Sequence, residues 1–146
     1  QGIRNQALFY RPEATIMIIN KNPLEAWDFI QSNPEAILID VRTKVEFSFI
    51  GHPINAIHIP WKEAPDWQIN PHFISTVQQY LDNTNTPVLL LCRSGARSLA
   101  AANALAEKGY QNLININEGF EGDLDAQKHR GTLGGWRYHN LPWEQT

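Results

Sequence analysis

The sequence predicts an α/β fold with a central parallel sheet and helices on both faces, and three observations carry that expectation. Two short apolar runs, Ala36-Ile37-Leu38-Ile39-Asp40-Val41 and Val88-Leu89-Leu90-Leu91, have the length and composition of strands buried on both faces. The second run leads within a few residues into the Ala-rich, helix-forming stretch from Leu99 to Lys108. Strand-like and helix-like segments alternate through the remainder, and 146 residues suffice for one core without disulfides.

In chain order, residues 1–14 are mixed and aperiodic and are expected to form an extended arm, followed by a single domain over 15–146. Thr15 to Ile19 is the first expected strand. Asn22 can cap a helix with Pro23 in its first turn and Leu24, Trp27 and Ile30 along one face, and Asn33-Pro34 ends it. Trp61 to Asn70 reads as a loop whose two tryptophans serve packing. Pro71 opens a helix to about Asp82, with Phe73, Val77, Tyr80 and Leu81 inward, and Asn83 to Pro87 is turn chemistry. Lys108-Gly109 stops the Ala-rich helix, and Asn112 to Asn117 alternates as a last strand. Glu121 to Gly135 is polar and glycine-rich and reads as an extra loop. Asp123 and Asp125 lack the ordered oxygen ligands and closing Glu of a calcium loop.

Cys92, the chain's one cysteine, stands where the second apolar strand gives way to the helix. The first amides of a helix have no internal partner and its dipole favours negative charge, so a thiolate there is stabilised. Gly95 lets the backbone turn its amides inward, and Arg93 and Arg97 add positive charge. An inert buried cysteine needs no such cationic collar. Of the two arginines, Arg93 is expected at the mouth of the loop and Arg97 in a pair within the protein.

Bulk properties exclude several classes. A net charge of −3 gives no footprint for nucleic acid, and no apolar run approaches the length of a membrane span. A lone cysteine forbids an internal disulfide and a two-cysteine resolving mechanism, so any group carried on Cys92 must leave to an external acceptor. His52, His58 and His72 lack metal-ligand spacing, so no metal is expected, and no cofactor. The start carries no charged and then apolar leader, so the expected compartment is the cytoplasm, although a chain opening on Gln1 is compatible with a trimmed one.

The loop's length separates two enzyme classes. Cysteine phosphatases place five residues between Cys and Arg, whereas four separate Cys92 from Arg97 and Ser98 takes the sixth position. The segment resembles the six-residue active-site loop of the rhodanese family of sulfurtransferases. Asp40-Val41-Arg42, Glu46-Phe47, Gly51-His52 and Ala56-Ile57-His58-Ile59-Pro60 resemble that family's N-terminal motif in order and spacing, with departures at Pro53 and Asn55. Trp136 and Asn140-Leu141-Pro142-Trp143 resemble its ending, delayed by the extra loop over 121–135.

The resemblance implies a single rhodanese-like domain in which Cys92 is the catalytic residue and carries a sulfane sulfur as a persulfide. It implies that Arg93, Ser94, Gly95, Ala96, Arg97 and Ser98 hold the substrate anion. Asp40, Arg42, Glu46 and His52 are expected to be structural, a carboxylate and a guanidinium pairing at a strand end rather than forming a catalytic triad. The implied partners are a small sulfur-containing anion such as thiosulfate as donor, and cyanide, a small thiol or a protein thiol as acceptor. A monomer is expected. Rival readings are a protein-to-protein persulfide carrier, a cysteine phosphatase or arsenate reductase, and a non-catalytic binding module. Because Glu121 to Gly135 follows the strand neighbouring the loop and carries Lys128, His129 and Arg130, it is expected as an exposed flap that selects the acceptor.

Overall fold

The computed structural model describes residues 17–146. Its elements run β1 (Ile19–Lys21), α1 (Pro23–Ser32), β2 (Ile37–Asp40), a π-helical turn (Glu46–Ile50), β3 (His52–Pro53), β4 (Ile57–His58), β5 (Lys62–Glu63), β6 (Gln68–Ile69), α2 (Phe73–Gln78), β7 (Val88–Leu91), α3 (Ala96–Glu107), β8 (Leu113–Ile116) and β9 (Trp143–Glu144).

The main sheet is parallel throughout, in the order β1-β8-β7-β2-β4. Strand β7 is therefore central, and each of its residues is fully buried. Its side chains alternate with the period of a pleated strand. Val88, Leu90 and Cys92 enter one core layer with Phe73 and Val77 of α2 and Ala101, Ala102 and Leu105 of α3. Leu89 and Leu91 enter the other, with Ala26, Trp27 and Ile30 of α1 and with Phe120, Trp136 and Leu141 from beyond β8. The alternation thus sends Cys92 to the face covered by α3. As in other open parallel sheets, the loop at the carboxyl end of the central strand is where a ligand can sit.

Helix α1 begins as its sequence foretells. The Asn22 side chain accepts from the Glu25 amide, and Glu25 accepts from the Asn22 amide, each at 2.9 Å. Its inner face is Pro23, Ala26, Trp27 and Ile30, whereas Leu24 points to solvent.

Several expectations are corrected. The first strand is Ile19–Lys21, set by its pairing with Ile114–Ile116 of β8; Thr15 and Ile16, like the expected arm, lie outside the described residues. Helix α2 stops at Gln78 instead of about Asp82 because the chain tightens into i to i+3 bonds, from Tyr80 to Val77 and from Leu81 to Gln78, which turn Tyr80 outward. The Trp61 to Asn70 segment holds a two-stranded hairpin of β5 and β6. Trp61 packs edge-on to Phe73 at 5.1 Å, but Trp67 at the hairpin's far side is 50 % exposed and does not serve packing. Helix α3 starts at Ala96, three residues before the Ala-rich run, so Ala96, Arg97 and Ser98 form its first turn.

The end of the chain returns to close the lower core. Trp136 is fully buried, lies edge-on to Trp27 at 5.9 Å, and donates its indole N–H to the Pro142 carbonyl at 2.8 Å. Replacing it removes the largest fully buried side chain of the fold. Trp136→Ala is expected to lower unfolding free energy by about 3–5 kcal/mol, measured by denaturant titration.

Candidate active site

Four residues, Cys92 to Gly95, connect β7 to α3, and the last three of them wrap around the Cys92 sulfur. The Gly95 amide donates to Cys92 Sγ at 3.1 Å, and Ser98 Oγ lies 3.3 Å from it. Gly95 is also the residue before α3, and its φ of +116° is in a region that favours glycine. A Cβ there would stand 2.6 Å from the Asn117 carbonyl oxygen, so the position excludes a side chain twice over. No side chain caps the start of α3, and the first bond into the helix comes from the Leu99 amide to the Gly95 carbonyl. The amides of Ala96, Arg97 and Ser98 precede that first bond and, with the helix dipole, suit an anion above the sulfur.

Cys92 is 1 % exposed, so its sulfur lies enclosed beneath the loop, and the side chain of Ser94 is half-buried beside it in the chain. Below the loop lies a polar relay, buried at Ser98 and Asn115 and open to solvent at Asn20, that was not expected from the sequence. Ser98 Oγ is 2.6 Å from Asn115 Oδ1, and Asn115 Nδ2 donates to Asn20 Oδ1 at 3.1 Å and to the Gly95 carbonyl at 3.3 Å. The alternating pattern of Asn112 to Asn117 was the available signal. In a strand whose four residues are all buried, an asparagine must be there to be hydrogen-bonded.

The two arginines diverge. Arg93 is exposed at the mouth, while Arg97 makes a two-pronged ion pair with Glu46 at 2.8 and 2.9 Å. Glu46 also accepts from the Thr43 amide and hydroxyl. Asp40 and Arg42 form a separate, fully buried pair, with Arg42 Nη2 donating also to the Gly51 carbonyl and the guanidinium lying over the Phe120 ring. His52 and His58 sandwich Phe47 at 3.7 and 4.5 Å. Each places a ring nitrogen 2.7 Å from a backbone carbonyl, of Phe47 and Arg42 respectively. None of these histidines reaches Cys92, and among the described residues no cluster could hold a metal.

The loop is braced from outside by the turn after β8. Phe120 N–H donates to the Cys92 carbonyl at 2.8 Å, and the Glu121 and Gly122 amides both reach the Arg93 carbonyl. Gly119 permits this approach, since a Cβ there would lie 2.5 Å from the carbonyls of Cys92 and Arg93. The extra loop that follows is pinned by polar side chains. Asp125 Oδ1 accepts from the Gln127 and His129 amides, Asp125 Oδ2 from the Thr132 hydroxyl, and Glu118 Oε1 from the Gly135 amide. The hydrogen bond from Thr132, with those from the backbone, holds the Asp125 carboxyl below its ordinary range. Arg130 Nη1 donates to the Gly122 carbonyl at 2.7 Å. A cleft of about 600 Å3 opens beside the Cys92 loop, walled by Arg93 and Arg97 of that loop and helix start, by Glu46 and Trp67, and by Glu121 and Arg130 of the extra loop, while Cys92 itself lies behind this wall. Lys128 and His129 do not line it.

The profile of the rhodanese-like domain matches residues 22–126, most of the chain. The chain belongs to the rhodanese-like domain family. Among curated relatives, the uncharacterized protein RC0915 of Rickettsia conorii is 37% identical over 125 residues, 82% of this chain and 92% of that one. Thiosulfate sulfurtransferase GlpE of Haemophilus influenzae is 30% identical over 105 residues, 72% of this chain and 87% of its own length. Among solved structures, Rv0390 of M. tuberculosis superposes with a TM-score of 0.78 at 38% identity, covering 87% of this chain and 97% of that one. The polysulfide-sulfur transferase homodimer of Wolinella succinogenes, at 22% identity and a TM-score of 0.61 over 99% of this chain and 93% of that one, shares the fold.

In this rhodanese-like site the Glu46–Arg97 pair fixes the start of α3 to the turn after β2. Burial alone would raise the Glu46 carboxyl, but the hydrogen bonds and charge of Arg97, with those of Thr43, outweigh it and hold it at about 2 against an ordinary 4.5. Arg97 is correspondingly raised, first by its bond to Glu46, and the charges of Glu46 and Cys92 add to that. A depressed carboxyl stabilises the fold fully above the unfolded value and loses that contribution as pH falls through the folded one. The parent is therefore expected to lose stability between pH 4.5 and about 2 more steeply than Glu46→Gln, measured as denaturation midpoint against pH.

Proposed function

We propose that the protein is a sulfurtransferase that moves a sulfane sulfur from a small anionic donor such as thiosulfate to a thiol or cyanide through a persulfide on Cys92. The observation that carries this reading is the placement of the one cysteine beneath an uncapped helix start, with the Gly95 amide on its sulfur. Family membership and the likeness to GlpE support it.

In the first half-reaction the Cys92 thiolate attacks the outer sulfur of thiosulfate. A bond forms between Sγ and that sulfur, the sulfur–sulfur bond of thiosulfate breaks, and sulfite departs with its electron pair. Negative charge then rests on the outer sulfur of the persulfide, where the unpaired first amides of α3 and its dipole favour an anion. Arg93 serves the sulfonate end of the donor, because Arg97 is engaged with Glu46. In the second half-reaction a thiolate or cyanide takes the outer sulfur and Cys92 leaves as thiolate, so the covalent step splits one transfer into two. The reading includes a monomeric enzyme with no cofactor. Among the described residues, no helix is long and apolar enough to cross a membrane.

Intact mass after incubation with thiosulfate and gel filtration tests this. The parent is expected to gain one sulfur and Cys92→Ser none; a parent that gains nothing contradicts the reading.

A further inference from the structure

The cleft beside the Cys92 loop is larger and more varied in charge than thiosulfate requires. A volume of about 600 Å3 is in the range of sites that take whole small organic molecules. Of its three arginines, Arg97 is neutralised by Glu46, while Arg93 and Arg130 make no ion pair among the described residues. Arg130 is nonetheless held in place, because its Nη1 donates to the Gly122 carbonyl at 2.7 Å. The cleft's other carboxylate, Glu121, has its Oε2 buried and without a hydrogen-bond donor. With that oxygen out of water and no donor to either oxygen among the described residues, the carboxylate gains from a cation or an N–H group brought to its open side, which lines the cleft. Trp67, half exposed on the opposite hairpin, supplies an apolar wall.

One cleft thus presents an anchored guanidinium, an unsatisfied carboxylate and an aromatic face beside a loop built for sulfur chemistry. We propose that Arg130, Glu121 and Trp67 form an acceptor subsite for a thiol bearing an α-amino-acid head group, with Arg130 facing its carboxylate and Glu121 its ammonium. This rests on the sulfur-transfer reading and names the acceptor class for it. The acceptor's thiolate attacks the outer sulfur of the Cys92 persulfide; the bond from that sulfur to Sγ breaks, the new sulfur–sulfur bond forms on the acceptor, and Sγ leaves as thiolate. The acceptor's proton passes to solvent, and no oxidant or reductant is consumed. The extra loop over 121–135 then serves specificity, since it supplies both charged partners.

The test loads the full chain with thiosulfate, removes the donor, confirms one added sulfur by mass, and follows single-turnover loss of that sulfur. The four acceptors are cysteine, 3-mercaptopropionate, cysteamine and 2-mercaptoethanol, which carry both head charges, the carboxylate alone, the ammonium alone and neither. Each rate is divided by that for 2-mercaptoethanol in the same variant, and comparing one thiol across variants cancels its intrinsic reactivity. Arg130→Gln is expected to lower the ratio for cysteine and 3-mercaptopropionate about tenfold and to spare cysteamine. Glu121→Gln is expected to lower it for cysteine and cysteamine and to spare 3-mercaptopropionate. Arg130→Lys, which keeps the charge, should retain most of the preference. Ratios that do not change, that fall alike for all charged thiols, or that fall equally in Arg130→Lys and Arg130→Gln overturn the proposal. Failure of the parent to load sulfur overturns the underlying reading instead, so the two failures are distinguishable.

Discussion

Everything at the site depends on the left-handed turn at Gly95. It lets the chain leave the central strand, fold its amide back onto Cys92 Sγ and begin a helix with no side-chain cap, all within four residues. The turn is enforced from below, because the Asn117 backbone after β8 presses against the Gly95 α-carbon at a distance that leaves no room for a methyl group. Two neighbouring parallel strands, β7 and β8, thereby fix one loop between them. The result is a preorganised electropositive pocket whose dipoles need no rearrangement when negative charge appears on sulfur.

Two sets of braces hold that turn. Outside it, the amides from Phe120 to Gly122 bind the carbonyls of Cys92 and Arg93, which would otherwise compete for donors within the loop. Beneath it, the buried Ser98 and Asn115 form a chain of hydrogen bonds that reaches the Gly95 carbonyl and ends at the exposed Asn20. At the start of α3, the pair with Glu46 draws Arg97 toward the turn after β2 and leaves Arg93 facing the cleft. The Asp40–Arg42 pair acts one layer further out, tying the end of β2 to the Gly51 carbonyl.

The fold was legible because its strongest signals are local. Val88 to Leu91 and Ile37 to Ile39 are too uniformly apolar for anything but buried strands, and the Asn22–Glu25 cap is written in the four residues that form it. Cys92 and its loop were legible for the same reason. What escaped depends on contacts between distant residues. The antiparallel pairing of His52–Pro53 with Trp143–Glu144 joins segments with no shared pattern. Asn115 reads as the polar half of an alternating strand until Ser98 is placed beside it. Trp67 looked like core by composition, but a short hairpin carries it to the rim of the cleft. The extra loop reads as an exposed flap because it is polar and glycine-rich, yet Asp125 and Glu118 use their polar atoms to bind its backbone.

The central claim is that the backbone geometry at Gly95, rather than the mere presence of a cysteine, makes the sulfur reactive. The most direct measurement is the rate at which Gly95→Ala gains one sulfur from thiosulfate, read by intact mass, with circular dichroism showing that the helices remain. The added methyl must push the turn away from Asn117 and withdraw the Gly95 amide from Sγ, so loading is expected to slow by about 10²-fold or more, the usual cost of losing one oriented donor. Loading at the parent's rate in a folded Gly95→Ala protein contradicts the account.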